Sequence, residues 1–190
     1  MTGLHNVENA AGVWAAARSL GLSPASIATG LGSFLGVKRR QEPRGYVGGV
    51  LVIDDFAHHP TAVRETVGAI RQRYRDRRLW AVFEPRSNTS RRNIHQQEYA
   101  EAFDEADIVT IRLPEPHDKV PADQQLDVAA VVREISARGI QATGLESVPE
   151  IVELIARQAR ANDVILVMSN GAFGNLIPEV LSALEKRTIP

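Results

Sequence analysis

Hydrophobic and polar residues follow two periods along this chain, one helical and one extended. In the first third, an alanine-rich helical pattern predicts a helix over residues 6–20, and Ser23 and Pro24 supply the N-cap and first turn of a second helix running toward residue 35. Gly48 and Gly49 separate two short extended runs, which predicts a hairpin leading into a strand at 50–53.

Strands and helices alternate over the rest of the chain. Apolar runs predict further strands at 79–83, 107–113 and 164–168, with amphipathic helices between them and a last helix at 176–184. This alternation predicts βαβ units with right-handed crossovers. The expected fold class is α/β: a Rossmann-like, doubly wound, mostly parallel sheet from about residue 44 onward, preceded by the helix pair. We expect Trp14 and Trp80 to lie in the core.

Composition excludes several classes of protein. The 190 residues carry 22 Lys+Arg against 23 Asp+Glu, so no overall positive field would hold nucleic acid or an anionic membrane. There is no cysteine, which excludes disulfides and thiolate zinc sites and fits a cytoplasmic protein. No apolar run reaches the roughly 18 residues of a membrane span, and no signal peptide is expected.

The segment Asp-Asp-Phe-Ala-His-His-Pro-Thr, residues 54–61, carries the densest candidate chemistry. It follows the predicted strand at 50–53 and precedes a helix that opens at Pro60. In a parallel sheet, ligands bind beyond the carboxyl ends of the strands, where helix N-termini and exposed side chains converge. Two carboxylates and two imidazoles there indicate nucleotide chemistry.

The leading helix pair has no obvious place in the sheet. The chain opens at Gly3 without a preceding strand, and residues 36–43 combine glycine, basic residues and proline, which is typical of a hinge. We therefore predict that the chain is a piece of a longer protein.

Three ordered motifs resemble the Mur ligases of peptidoglycan synthesis. Gly-x-His-Asn-x-x-Asn-x-Ala at 3–11 resembles the end of their central ATPase domain, Phe-x-Gly-Val-Lys-Arg-Arg-x-Glu at 34–42 resembles their hinge, and residues 54–60 resemble the start of their C-terminal domain. Glu-Pro-Arg-Ser-Asn-Thr at 84–89 resembles the branch that recycles a murein tripeptide. The resemblance covers the whole chain and implies two parts, residues 1–40 from the central domain and residues 41–190 as the C-terminal domain.

The resemblance implies ATP-dependent amide formation in the cytoplasm. A carboxylate is phosphorylated and an amine then displaces phosphate, with UDP-N-acetylmuramate and L-alanyl-γ-D-glutamyl-meso-diaminopimelate as the expected substrates. The loop Gly-x-x-Gly-Lys-Ser/Thr that grips the β- and γ-phosphates occurs nowhere in the sequence. We therefore expect the isolated chain to be inactive and the Mg²⁺ ligands to lie mainly in the missing central domain; no metal-binding residues are assigned here.

Four residues are expected to bind ATP. Asn6 and Asn9, three apart on a helix, match residues that contact adenine in the family, although Asn6 could instead cap the helix. Arg40 matches the hinge arginine that reaches the γ-phosphate and is also assigned to catalysis. Asp55 matches the carboxylate that binds the ribose hydroxyls, and capping of the helix at Pro60 is its structural alternative.

The residues next to Arg40 and Asp55 in the sequence are expected to have other roles. We expect Lys38 and Arg39 to be solvated, and Asp54 to be structural because side chains alternate along a strand. His58 is assigned to catalysis and His59 to substrate contact. Metal ligation by the two histidines with Asp55 is weaker, since no fourth ligand is evident.

Two further loops are expected to bind the peptide. Both follow strands, and their polar side chains suit an acidic ligand. The assigned residues are Arg86, Ser87, Asn88, Thr89, Arg91, Ser169 and Asn170. A plain polar loop or a tight glycine turn is the structural alternative. After Thr89 the family pattern would continue Met-Lys and a glycine, whereas this chain has Ser-Arg-Arg-Asn-Ile-His, so the peptide preference stays open.

Two alternative functions remain open for this chain. The chain could belong to a sister Mur ligase that adds a single amino acid such as L-alanine, which competition between L-alanine and tripeptide would reveal. It could also be a non-catalytic doubly wound module that binds a nucleotide or a partner. No Gly-x-Gly-x-x-Gly follows a strand, which disfavours a dinucleotide-binding module.

Overall fold

A six-stranded mixed sheet forms the centre of the protein. The computed structural model describes residues 1–114 and 120–187. The strands are β1 (Glu42–Val47), β2 (Val50–Asp55), β3 (Arg78–Phe83), β4 (Ile108–Arg112), β5 (Gln141–Leu145) and β6 (Asp163–Met168). Their order is β1-β2-β6-β3-β4-β5, with β1 antiparallel to β2 and every other pair parallel. The predicted hairpin and mostly parallel sheet are confirmed.

Helices cover both faces of this sheet. They are α1 (Leu4–Ser19), α2 (Pro24–Ser33), α3 (Pro60–Arg73), α4 (Gln96–Glu101), α5 (Val128–Ala137), α6 (Val148–Gln158) and α7 (Leu176–Glu185). One hydrophobic cluster packs α3, α4 and α5 against the sheet, and a second packs α6 and α7 against the opposite face. The doubly wound architecture predicted from the sequence is therefore present.

The central strand β6 explains how one sheet supports two cores. All six of its residues are buried. Val164, Leu166 and Met168 belong to the first cluster, whereas Ile165 and Val167 belong to the second. Because side chains alternate along a strand, a continuous apolar run serves both faces. Each such side chain contributes about 1.5–3 kcal/mol when removed from water.

One strand was missed, and one of the two tryptophan expectations was wrong. The edge strand β5 was not predicted, because its sequence Gln-Ala-Thr-Gly-Leu is short, carries a glycine and has no fully buried residue. The second helix runs over Pro24–Ser33, in agreement with the pattern that pointed toward residue 35. Trp80 is buried as expected, but Trp14 is 37% exposed, since α1 has no buried residue in this chain.

The N-terminal helix pair is attached to the sheet domain through its first residues. The Thr2 amide and hydroxyl both donate to Gln41 Oε1, at 2.6 and 3.0 Å, and Gln41 Nε2 donates back to the Thr2 carbonyl at 2.9 Å. Gly3 packs against α3 so closely that a Cβ would lie 2.6 Å from that of Ala69, and its φ of 100° also favours glycine. These contacts bring α1 beside the end of β2.

In the described part of the chain, no helix is long and apolar enough to cross a membrane.

Candidate functional site

The three polar segments singled out from the sequence meet at one edge of the sheet. Asp55 ends β2, Glu84 follows β3 and Ser169 follows β6, and β6 lies between the other two strands. The hydrogen-bond ladder continues into these residues, because the Ser169 amide donates to the Asp55 carbonyl at 3.1 Å and the Glu84 amide donates to the Met168 carbonyl at 3.0 Å. The predicted convergence at the carboxyl edge is confirmed.

A cavity of about 340 Å³ opens beside Asp55, and we call it the Asp55 cavity. It lies between the start of α1, the segment before β1 and the end of β2. Its lining comprises Met1, His5, Asn6, Asn9, Val37, Arg40, Gln41, Asp55 and Thr66. The four residues assigned to ATP thus line a single cavity, although they come from three separate parts of the chain.

The Asp55 carboxylate is held rigidly at the floor of this cavity. Its two oxygens accept hydrogen bonds from the Ala57 amide at 2.7 Å and the Gln41 amide at 2.8 Å. Burial raises the pKa of Asp55, and the two amide hydrogen bonds and the nearby Arg40 oppose that rise. Asp55 does not cap α3, whose N-cap His59 makes no side-chain cap bond. The capping alternative is therefore excluded.

The two asparagines line the cavity from helix α1. Asn6 Nδ2 donates to the Thr2 carbonyl at 2.7 Å and lies 2.9 Å from His5 Nε2. The N-cap of α1 is Gly3, so the alternative of capping by Asn6 is wrong. Asn9 is exposed, one turn further along the same helix.

Arg39 and Arg40 share one aromatic ring but contact different parts of the site. Their guanidinium carbons lie 5.2 and 5.4 Å from the centroid of the Phe56 ring. Arg40 lines the Asp55 cavity, whereas Arg39 turns the other way and donates to the carbonyls of Ser169 and Gly171, both at 2.6 Å. The expectation that Arg39 is solvated was therefore wrong: the carbonyls that hold it come from a loop 130 residues away, which sequence spacing cannot reveal. Lys38 is exposed, as expected.

Asp54 faces the opposite side of the sheet from Asp55. Its carboxylate lies 3.4 Å from Arg39 Nε and 3.2 Å from Arg44 Nη1. Burial raises the pKa of Asp54, and the two arginines counteract part of that rise. This environment matches the structural role expected for Asp54.

His58 and His59 lie next to the site but outside the lining of the Asp55 cavity. His58 Nδ1 is 3.0 Å from the Phe56 carbonyl, and the His58 carbonyl accepts the Tyr99 hydroxyl at 2.6 Å. The ring of His59 meets that of His95 edge-on at 4.9 Å. Within residues 1–114 and 120–187, no group of three or more His, Asp or Glu side chains is arranged to hold a metal ion.

A second recess lies along the ends of β3 and β4, and we call it the Arg86 cleft. It has a volume of about 230 Å³ and is lined by Glu84, Pro85, Arg86, Arg91, Arg112, Leu113, Pro114 and Gly174. The exposed Arg86 side chain lies flat against the backbone of Gly171, where a Cβ would come within 2.4 Å of its Cδ and Nε atoms. A side chain at position 171 would thus displace the Arg86 guanidinium.

Arg91 connects this cleft to a neighbouring cavity of about 280 Å³ that it also lines. Its Nε atom is buried and has no hydrogen-bond partner among the described residues. Of the other residues assigned to the peptide, Asn88 and Thr89 are exposed, and the Ser87 hydroxyl accepts the Ser90 amide at 3.0 Å.

Ser169 and Asn170 belong to the loop after β6. The Ser169 hydroxyl donates to Glu84 Oε2 at 2.6 Å and accepts the Gly171 amide at 2.9 Å. This hydroxyl is enclosed, so it fixes the loop. The Asn170 Oδ1 atom is buried and has no partner within the described part of the chain.

Sequence reasoning missed the ionic support beneath the cleft. Glu84 is buried and accepts Arg112 Nη1 at 2.7 Å. Together with the Ser169 hydroxyl, this pair joins the ends of β3, β4 and β6. The position of Glu84 directly after an apolar strand could have indicated a buried ionic contact. Its partner Arg112 on β4 could not have been identified, because strand order sets that pairing.

A doubly wound sheet with a polar cavity, lined by Asp55 and Arg40, and an arginine-lined cleft at its carboxyl edge defines an α/β ligand-binding domain of the kind that handles nucleotides and anions. The family model for the Mur ligase, glutamate ligase domain matches residues 39–171. This chain belongs to the Mur ligase family.

Relatives of known name support this membership. The UDP-N-acetylmuramate–L-alanyl-gamma-D-glutamyl-meso-2,6-diaminoheptandioate ligase of Escherichia coli strain K12 is 38% identical over 189 residues, which is 98% of this chain and 39% of the relative. The UDP-N-acetylmuramate–L-alanine ligase of Nostoc punctiforme is 35% identical over 184 residues, 94% of this chain and 37% of that protein.

A solved structure agrees in fold. The crystal structure of a murein peptide ligase from Psychrobacter arcticus has a TM-score of 0.76 and 37% sequence identity, covering 100% of this chain and 39% of that one. The chain thus spans about two fifths of the length of these relatives (39% in the E. coli ligase).

Proposed function

We propose that this chain is the C-terminal portion of a cytoplasmic ATP-dependent amide ligase that joins UDP-N-acetylmuramate to L-alanyl-γ-D-glutamyl-meso-diaminopimelate in peptidoglycan recycling. The observation that carries the proposal is the convergence of Asn6, Asn9, Arg40 and Asp55 on one cavity beside an arginine-lined cleft. Family membership supports the reaction class.

The lining of the Asp55 cavity suits ATP chemically. Amide groups of Asn6 and Asn9 complement the donors and acceptors of an adenine edge, the Asp55 carboxylate accepts ribose hydroxyls, and the Arg40 guanidinium forks onto phosphate oxygens. Bound ATP supplies the phosphoryl group that activates the substrate carboxylate for attack by the peptide amine. The chain itself holds Asp55 fixed through the Gln41 and Ala57 amides, so little reorganisation is needed when a ribose binds.

The Arg86 cleft suits an acidic peptide. Arg86 and Arg91 present guanidinium groups to a ligand that carries several carboxylates, and Asn88, Thr89 and Asn170 offer polar groups around them. Ser87 and Ser169 keep the two loops in shape through their hydroxyl hydrogen bonds. His58 and His59 lie beside the Asp55 cavity and outside its lining, and in this proposal His58 takes part in catalysis and His59 contacts the substrate.

The division of labour follows from what this chain contains. Residues 1–40 are assigned to the end of the central ATPase domain and residues 41–190 to the C-terminal domain. The sequence has no Gly-x-x-Gly-Lys-Ser/Thr loop, so the β- and γ-phosphates and the associated Mg²⁺ require groups from elsewhere in the ligase. We expect the 190-residue chain to have no ligation activity by itself.

The first test is to sequence the coding DNA immediately upstream of Met1. An in-frame Gly-x-x-Gly-Lys-Ser/Thr motif supports the ligase, and the full-length protein is then assayed for ATP-dependent joining of tripeptide to UDP-N-acetylmuramate. A stop codon directly upstream contradicts the proposal and favours a non-catalytic nucleotide- or partner-binding module.

A sister ligase adding L-alanine is the second candidate, because a named L-alanine ligase is 35% identical to this chain. The two are separated by offering L-alanine and tripeptide together to the full-length enzyme. Preferential use of the tripeptide supports the recycling ligase, and preferential use of L-alanine overturns it.

A further inference from the structure

We propose that Arg39 is a positioning residue that couples the Asp55 cavity to the Arg86 cleft, so that the hinge sets the geometry of the peptide site. This inference rests on the proposed function for the identity of the two ligands. The contacts themselves are properties of the chain.

The first link is between Arg39 and the loop after β6. Arg39 Nη2 donates to the carbonyls of Ser169 and Gly171 at 2.6 Å each, and these two residues flank Asn170. The carboxylate of Asp54 lies 3.4 Å from Arg39 Nε and orients the guanidinium. A planar guanidinium can bind all three groups at once, whereas an ammonium cannot reproduce this fork. The conformation of the loop therefore depends on Arg39 as well as on the hydrogen bonds of the Ser169 hydroxyl.

The second link is between the loop and the Arg86 cleft. The Gly171 backbone packs against the Arg86 side chain, with room for no Cβ between them. Any movement of Gly171 changes the surface on which the Arg86 guanidinium rests. Arg39 thus positions Arg86 through one intervening residue.

The third link runs to the nucleotide side. Arg40, the next residue, lines the Asp55 cavity, and both guanidiniums rest on the Phe56 ring. The Phe56 amide donates to the Arg39 carbonyl at 2.8 Å, and Arg39 has a positive φ of 58°, which is costly for a residue with a side chain. A ligand that pulls on Arg40 consequently acts on the backbone that aims Arg39. Coupling of this kind is reciprocal between the two ligands.

The test compares Arg39→Gln and Arg39→Lys with Arg44→Gln. Arg44 is a matched control because it also pairs with Asp54, at 3.2 Å, but has no hydrogen bond to the loop after β6. In the 190-residue chain, amide hydrogen exchange is followed at residues 169–172, with β3 as the internal reference for global stability. In the full-length ligase, kcat and the KM values for ATP and tripeptide are measured.

We expect Arg39→Gln to speed exchange at residues 169–172 but not in β3, and to raise the tripeptide KM about tenfold, the factor that corresponds to losing one charge-assisted hydrogen bond. Arg39→Lys, which keeps the positive charge beside Asp54, should also raise the tripeptide KM, while Arg44→Gln stays within about twofold of wild type on the same scale. Equal effects of the position 39 and position 44 variants overturn the inference, as does a wild-type KM for Arg39→Lys.

Failure of the proposed function gives a different result. If the wild-type full-length protein does not ligate, the function is wrong, and the exchange measurement alone decides whether Arg39 holds the loop. If Arg39→Gln unfolds the chain, amide hydrogen exchange becomes faster in β3 as well. The Arg39→Lys variant then decides whether the guanidinium of Arg39 positions the loop after β6.

Discussion

Asp54 and Asp55 are adjacent on β2, yet their carboxylates serve opposite sides of the sheet. Asp54 pairs with Arg39 and Arg44 beside the loop after β6, whereas Asp55 accepts the Gln41 and Ala57 amides at the floor of the Asp55 cavity. Arg39 and Arg40, in the segment before β1, divide in the same way. The end of β2 and the segment before β1 therefore contribute to both proposed ligand sites.

The first prediction concerns Asp55 as the ribose ligand. Asp55→Asn in the full-length ligase should weaken ADP binding about tenfold, because an uncharged amide accepts the ribose hydroxyls less strongly and offers only one acceptor oxygen. Isothermal titration with ADP measures the change. Asp54→Asn is the comparison variant, since its carboxylate lies outside the Asp55 cavity. Equal losses in the two variants would argue against direct ribose contact.

The second prediction concerns Arg40. Arg40→Ala should lower kcat by at least about tenfold, with a smaller change in the KM for ATP, because a guanidinium on the transferring phosphoryl group acts most strongly where charge develops. Steady-state kinetics of the full-length ligase measures this. Lys38→Ala provides the control, since Lys38 is exposed and outside the cavity lining. A Lys38→Ala variant that loses as much activity would point to general hinge charge.

The third prediction separates a ligase from a binding module. Arg86→Ala should raise the tripeptide KM by about ten- to a hundredfold, because it removes a bidentate partner for a carboxylate. Arg92→Ala is the matched control: this arginine lies in the same loop but donates to Gln124 Oε1 and is absent from the cleft lining. Unchanged ligation by Arg86→Ala would contradict the assignment of the cleft.

The fourth prediction follows from the raised pKa of Asp55. Burial makes the folded chain bind this proton more tightly than the unfolded chain, so the contribution of Asp55 to stability is complete below its ordinary pKa of 3.8 and is lost as the pH rises through the raised value. The free energy of unfolding of wild type relative to Asp55→Asn should therefore fall as the pH rises above 3.8.

Glu150 is the control for the direction in which stability changes with pH. Hydrogen bonds from the Ser147 backbone and side chain lower the pKa of Glu150, which is part of the capping box of α6. Relative to Glu150→Gln, wild type should lose stability as the pH falls below the ordinary Glu value of 4.5, the opposite slope to Asp55. Urea unfolding at a series of pH values measures both. If the stability difference changed with pH in the same direction for Asp55 and Glu150, the opposite pKa shifts of the two carboxyl groups would be contradicted.

Much of the fold was accessible from local patterns. Apolar runs such as β6 predicted the buried strands, and their alternation with amphipathic helices predicted the doubly wound sheet. Trp14 shows where this logic stops. The alanine-rich pattern predicts its helix, but within residues 1–114 and 120–187 that helix buries no residue and Trp14 stays 37% exposed, because burial depends on tertiary packing that periodicity cannot specify.

From the chain alone, alternation along the strands tells which residues stand at strand ends and which faces of the strands they occupy, because the period of two is a property of the backbone. It therefore separated Asp54 from Asp55 and gathered the polar loops at one edge. Strand order emerges only in the folded protein, where β6 lies between β2 and β3 and brings the Ser169 and Gly171 carbonyls within 2.6 Å of Arg39. Contacts of this range depend on strand order and domain packing, which are set by the burial of both sheet faces together and not by any local stretch of residues.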